Sequence, residues 1–172
     1  MISQTVKATT AAESHYRISA PNSKGRSSLV LGLEASSASL LGELAGLEWN
    51  GARFRTVVPT DDAGKSAKDL NVNADDLVLQ APDGELSRLS DELASTDVVV
   101  MFARSGEAAQ AASVVGEAAF GRRLMTAGFV LDEQDDRKAL EATLTAVRPF
   151  VISLVVGPDA EAFSETLSAI RA

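Results

Sequence analysis

Cysteine is absent from this chain, and histidine occurs once, at position 15. Without cysteine there is no disulfide framework, no thiolate metal site and no cysteine nucleophile. His15 lies in a polar leader, so zinc sites and Ser-His-Asp triads lose their usual parts. Long apolar runs are also missing. None approaches the roughly 18 to 20 residues that cross a bilayer, and the first residues form no hydrophobic signal core, which predicts a cytoplasmic protein without a membrane partner. Positive charge is scarce: 16 Lys and Arg stand against 24 Asp and Glu, a net charge of −8. That balance argues against nucleic acid as a partner. The 172 residues, 45% of them hydrophobic, suffice for one domain with a buried core.

Residues Met1 to Arg26 are rich in Ser, Thr and Ala and carry Lys7, Arg17, Lys24 and Arg26 against Glu13. They read as a flexible, mildly basic arm, with docking on an acidic surface as the alternative. Residues 27–172 read as a single α/β domain. Its organising stretch is Asp97–Leu131. An apolar run, Val98–Ala103, leads through Arg104-Ser105-Gly106-Glu107 into an alanine-rich helical segment, Ala108–Ala119. A second apolar run, Leu124–Leu131, closes the unit. Strand, turn, helix and strand in about 35 residues make a parallel crossover.

Four further strands are expected at Ser28–Leu33, Ala52–Val58, Asp76–Gln80 and Phe150–Val156. Helical spacing of leucines marks Leu40–Leu47 and Glu85–Ser95, and two more helices cover Asp135–Val147 and the last residues to Ile170. The run Asp132–Asp136 reads as a solvated loop leading into a helix. Six strands alternating with helices predict a three-layer, doubly wound, mostly parallel Rossmann-like sheet of order 3-2-1-4-5-6. The turns Glu34–Ser39 and Arg104–Glu107 then face each other across the ligand crevice.

On these residues the chain resembles the nucleotide-binding half of bacterial tubulin-like cell-division GTPases (FtsZ). Ala45-Gly46-Leu47, Gly51–Phe54 and Val57–Asp61 follow the order of the family's first crossover. Asp97–Ala103, Ala111–Glu117, Ala119, Thr126 and Val130 follow that of a later one. The resemblance implies GTP or GDP held by the turns bearing Ser36, Ser37, Ser39 and Asp61 on one side and Arg104, Ser105, Gly106 and Glu107 on the other. The family's glycine-rich turns are replaced here by Leu33–Ala38 and by Arg104–Glu107, and the chain as given lacks the domain carrying the hydrolytic aspartates. The implied function is therefore a domain that does not hydrolyse GTP and acts through protein contacts, as a homo-oligomer or with a protein partner, or through weak nucleotide binding.

Two alternatives stand beside it. The turn Ser105-Gly106-Glu107 resembles that of sugar-isomerase (SIS) domains, which implies a phosphosugar at the start of the following helix, with Arg104 as its cation. A purely structural interaction module is the other. The plainest reading of Ser105 is a helix cap with Glu107 in the first turn, and of Ser36, Ser37 and Ser39 helix caps and small packing residues.

Overall fold

The computed structural model describes residues 26–59, 77–170 and 172. The leader, Asp61 and the polar stretch to Asp75 lie outside the described residues.

The chain begins with β1 (Ser28–Gly32), a 3-10 turn (Ala35–Ser37) and α1 (Ala38–Ala45). β2 (Ala52–Val57) follows, then β3 (Val78–Gln80), β4 (Leu86–Arg88) and α2 (Leu89–Ala94). The central unit is β5 (Val98–Arg104), α3 (Ala111–Gly121) and β6 (Met125–Leu131). The chain closes with α4 (Arg137–Val147), β7 (Ser153–Gly157) and α5 (Ala160–Ala169). The strands form one sheet of order β4-β3-β2-β1-β5-β6-β7. β1 pairs in parallel with β2 and β5, β5 with β6, and β6 with β7. The expected three-layer, doubly wound, mostly parallel architecture is therefore present, with one strand more than the six expected.

That extra strand has a local cause. The leucine spacing over Glu85–Ser95 predicts one helix, but the turn at Pro82–Gly84 folds β4 back on β3 as an antiparallel hairpin, and β3 is itself antiparallel to β2. Leu86, on β4, is 61% exposed, whereas Leu89 and Leu93 of α2 are buried. Gly84, at φ +93°, supplies the conformation the hairpin turn requires. Removing the hairpin leaves a parallel core of β2-β1-β5-β6-β7, the 2-1-3-4-5 order among successive parallel strands.

The apolar runs of β1 and β5 are continuous because helices cover both faces. On one face Leu29, Leu31, Val99 and Met101 pack with Leu89 and Leu93 of α2, Ala112, Val115 and Ala119 of α3, and Val147 of α4. On the other, Val30, Val100, Phe102 and Phe129 pack with Leu40, Leu41 and Leu44 of α1 and with Phe163 and Leu167 of α5. Phe163 lies 4.7 Å from Phe102 and 4.6 Å from Phe129, centroid to centroid. Side-chain caps start the last two helices: Asp136 accepts from the amides of Lys138 and Ala139, and Asp159 from that of Ala162. Among the described residues, no helix is long and apolar enough to cross a membrane.

Candidate functional site

In the parallel core, the connections from β1 and β5 leave the sheet toward opposite faces. The C-terminal ends of these two strands therefore flank the topological switch point, where doubly wound folds open a ligand crevice. The turns after β1, β5 and β6 converge there.

The first turn is pulled in tightly. A Cβ on Gly32 would lie 2.8 Å from the Ser37 Cβ and 2.9 Å from a Leu41 methyl, so the chain can reverse here only because position 32 has none. The Leu33 amide still donates to the Phe102 carbonyl, and the Ser37 amide donates to the Glu34 carbonyl to close the 3-10 turn. Glu34 is thereby folded inward and is 8% exposed. Its Oε1 accepts from the Ser37 hydroxyl at 2.9 Å and from the Arg104 amide at 2.6 Å, while Oε2 is buried without a partner. Burial pushes the Glu34 carboxyl up to about 7, against the pull of those two hydrogen bonds, and the Glu107 charge adds to the rise.

The second turn belongs to β5. The Ser105 amide donates to the Leu131 carbonyl, the Gly106 amide to Thr143 Oγ1 at 3.1 Å, and the Glu107 amide to the Arg104 carbonyl. Gly106 takes φ +85°, so its role is to make this turn. The Arg104 guanidinium reaches Glu133, on the turn after β6, at 3.2 Å. Beside it, the Asp132 amide donates to the Gly157 carbonyl while Asp132 Oδ1 is buried without a partner. Asp132 therefore departs from the solvated loop expected at this position.

Arg104, Ser105 and Gly106 come together with Ser37 through Glu34. Ser36 is exposed on the first turn, Ser39 is exposed at the start of α1, and Glu107 is exposed on the second turn. Ser39 lines a different cavity, of about 240 Å³ between α1, β2 and the Ala81–Gly84 turn, whose lining includes none of residues 104–107. Asp61 lies outside the described residues. The capping expectations fail for a physical reason. α1 begins at Ala38 with Ser37 in the N-cap position, but the Ser37 hydroxyl is committed to Glu34 and makes no cap. α3 begins at Ala111, after Gln110, so Ser105 and Glu107 precede the helix start and neither caps it. The SIS-type anion site at a helix beginning near Glu107 loses its helix in the same way.

Glu34, Asp132, Glu133 and Thr143 were not among the expected site residues. A signal for the first two was available: each follows closely on a buried parallel strand, at the edge where this fold class opens its crevice.

No protein-family profile matches the sequence, and no curated protein does either. Among solved structures, a flavoprotein from Lactobacillus acidophilus NCFM, crystallised in complex with FMN, superposes at a TM-score of 0.50. It is 12% identical, over 85% of this chain and 98% of that one. An NMR structure of the apo form of the flavoprotein from the same organism aligns at 0.46, with 14% identity over 80% of this chain and 95% of that one. The first of these shows a shared fold, and the 2-1-3-4-5 parallel order is that of flavodoxin-like sheets.

The FMN-bound neighbour corrects the resemblance drawn from sequence. It is a flavoprotein, not a tubulin-like GTPase or a sugar-isomerase domain, so the readings as a GTP- or GDP-binding, phosphosugar-binding or purely structural domain are set aside. The misleading residues were small and apolar ones in a strand-turn-helix pattern that many doubly wound sheets share. Where a nucleotide phosphate needs glycines, this chain places the buried carboxylate of Glu34.

Proposed function

We propose that the chain binds a flavin of the FMN type in the crevice between the turns that follow β1, β5 and β6. One observation carries this reading. Among the described residues, the buried side-chain polar atoms without a hydrogen-bond partner are Glu34 Oε2, Arg53 Nε, Arg104 Nε, Ser105 Oγ and Asp132 Oδ1. All but Arg53 Nε lie at the C-terminal ends of adjacent parallel strands. Such atoms cost free energy until something pairs with them. A heteroaromatic ring edged with donors and acceptors offers complementary chemistry, and the FMN-bound neighbour supports that choice of ligand.

The residues fit this group under one condition. Arg104 offers a guanidinium whose partner, Glu133, is half exposed and can exchange for a phosphate. Ser36 offers an exposed hydroxyl on the first turn. Glu34 fits only when protonated, because a carboxylate there repels the ligand phosphate, and its elevated pKa makes the neutral form accessible near pH 7. A bound flavin supplies one- or two-electron redox chemistry. The chain's own part is to hold it, with Arg104 as its cation and Glu34 as a neutral hydrogen-bonding group.

The test is to add FMN to the purified chain and follow quenching of flavin fluorescence and the melting temperature. Saturable quenching with a rise in Tm, both lost in Arg104→Ala, is the expected result. Neither signal at about 1 mM FMN would overturn the reading.

A further inference from the structure

β7 lies at one end of the sheet, and among the described residues no strand pairs with its outer edge. Protein edges are usually protected by charge, proline, a bulge or a covering element, because their outward N–H and C=O groups recruit another strand. Residues 149–158, Pro-Phe-Val-Ile-Ser-Leu-Val-Val-Gly-Pro, carry no charge, and the prolines stand outside the strand. The sequence reads this run as a buried strand, yet Ile152 is 76% exposed, and Val155 and Val156 are also exposed. The apolar surface continues beyond the strand. Phe120, at the end of α3, is 85% exposed, and a groove of about 340 Å³ runs between it and Ile152, with Leu124 and Phe150 in its lining.

We infer that a second copy of this chain covers this face, with the two β7 strands pairing antiparallel across a two-fold axis into one continuous sheet. A strand is the partner that satisfies the edge's backbone groups. Charge along the strand does not oppose a copy: two chains of net charge −8 repel in general, but residues 149–158 carry no charge, and the one charged residue lining the groove is Glu117. Self-pairing also sets like against like. By strand alternation Ile152, Leu154 and Val156 share one face and Val155 takes the other, so antiparallel pairing of β7 with itself places apolar side chains opposite each other on both faces.

Area is consistent with a stable dimer. Phe120, Ile152, Val155 and Val156 together leave on the order of 400 Å² of apolar side chain exposed, near the upper range for a patch on a monomer. Doubled across the axis, and with apolar surface a little over half of a typical interface, the contact reaches on the order of 1,400 Å². That falls within the range of specific complexes.

The inference is independent of flavin binding and is tested by sedimentation velocity of the full chain from about 1 to 100 µM, a span that brackets micromolar association. The expected result is a species of twice the 18.0 kDa chain mass, with Val155→Lys and Phe120→Lys each shifting it to a monomer of unchanged circular dichroism. Two substitutions on separate elements guard against one of them failing to fold. A wild-type monomer throughout the range would overturn the inference. So would a dimer that persists in both folded variants, or a monomer whose exposed face proves to hold a different co-purifying protein.

Discussion

The Glu34 carboxylate accepts the backbone amide of Arg104 at 2.6 Å, across 70 residues of sequence, while the Arg104 guanidinium turns away to Glu133. The Arg104 charge still pulls the Glu34 pKa down, but it is the weakest of the influences on it. A backbone amide and the Ser37 hydroxyl are left to hold a buried acid. This relationship ties the turn after β1 to the end of β5, and it leaves the acid poised near neutrality.

Glu34 accordingly dictates how stability varies with pH. Its folded-state pKa lies above the ordinary glutamate value of 4.5, so between about 4.5 and about 7 the folded state binds more protons than the unfolded state. The Glu34 contribution is fully present below pH 4.5 and is lost as pH rises through 7. The loss is on the order of 3 kcal/mol. Glu34→Gln retains an acceptor for the Arg104 amide and cannot ionise. Urea unfolding at pH 5 and pH 8 should show this variant gaining about 2–3 kcal/mol over wild type at the higher pH only. Equal gains at both pH values would contradict the account.

A second acid behaves in the opposite sense. Glu92, buried at the start of α2, accepts from Arg53 Nη1 at 2.8 Å, from Arg55 Nε at 2.7 Å and from the Ser87 hydroxyl at 2.9 Å. Burial alone would raise its pKa, but the Arg55 and Ser87 hydrogen bonds and the two arginine charges outweigh it and hold the carboxyl below its usual range. Its stabilisation is present above pH 4.5 and is lost as pH falls through the lowered pKa. Glu92→Ala leaves Arg55 Nε without its partner, while Arg53 keeps its bonds to the Glu92 and Ser95 carbonyls and to Thr96 Oγ1, and should cost about 1–3 kcal/mol at pH 7, read from denaturant unfolding. A cost under about 0.5 kcal/mol, typical of a surface pair, would show that the network is not structural.

The slim face of α3 gives a third expectation. Gly116 packs so closely on Phe150 that a Cβ there would overlap the ring. Gly116→Ala gains helix propensity but must displace Phe150, and should lower stability by about 1–3 kcal/mol. A stabilised variant would mean that Phe150 moves freely into the adjoining groove.

Much of this fold is legible in the sequence because its strands are buried on both faces. Val98–Ala103 and Leu29–Leu31 read as strands for the reason they fold as strands: helices cover them on two sides. The same rule misleads at Phe150–Val156, where an equally apolar run lies at an open edge. It also fails at Leu86, whose leucine spacing matches a helix while the turn at Pro82–Gly84 makes a hairpin. The site was less legible. Its position at the ends of β1 and β5 follows from topology. Its chemistry depends on Glu34 meeting an amide 70 residues away, and no local pattern encodes that contact.

The most direct test of the central claim is a titration of the chain with FMN at pH 6 and pH 8, for wild type and Glu34→Gln. With Glu34 largely protonated at the lower pH, wild type should bind about tenfold more tightly at pH 6, the equivalent of ~1.4 kcal/mol of repulsion relieved. Glu34→Gln should lack that tenfold difference and keep only the change that ionisation of the ligand phosphate itself imposes. Wild-type affinity that is independent of pH, or no binding at either pH, would contradict a flavin site built around Glu34 and Arg104.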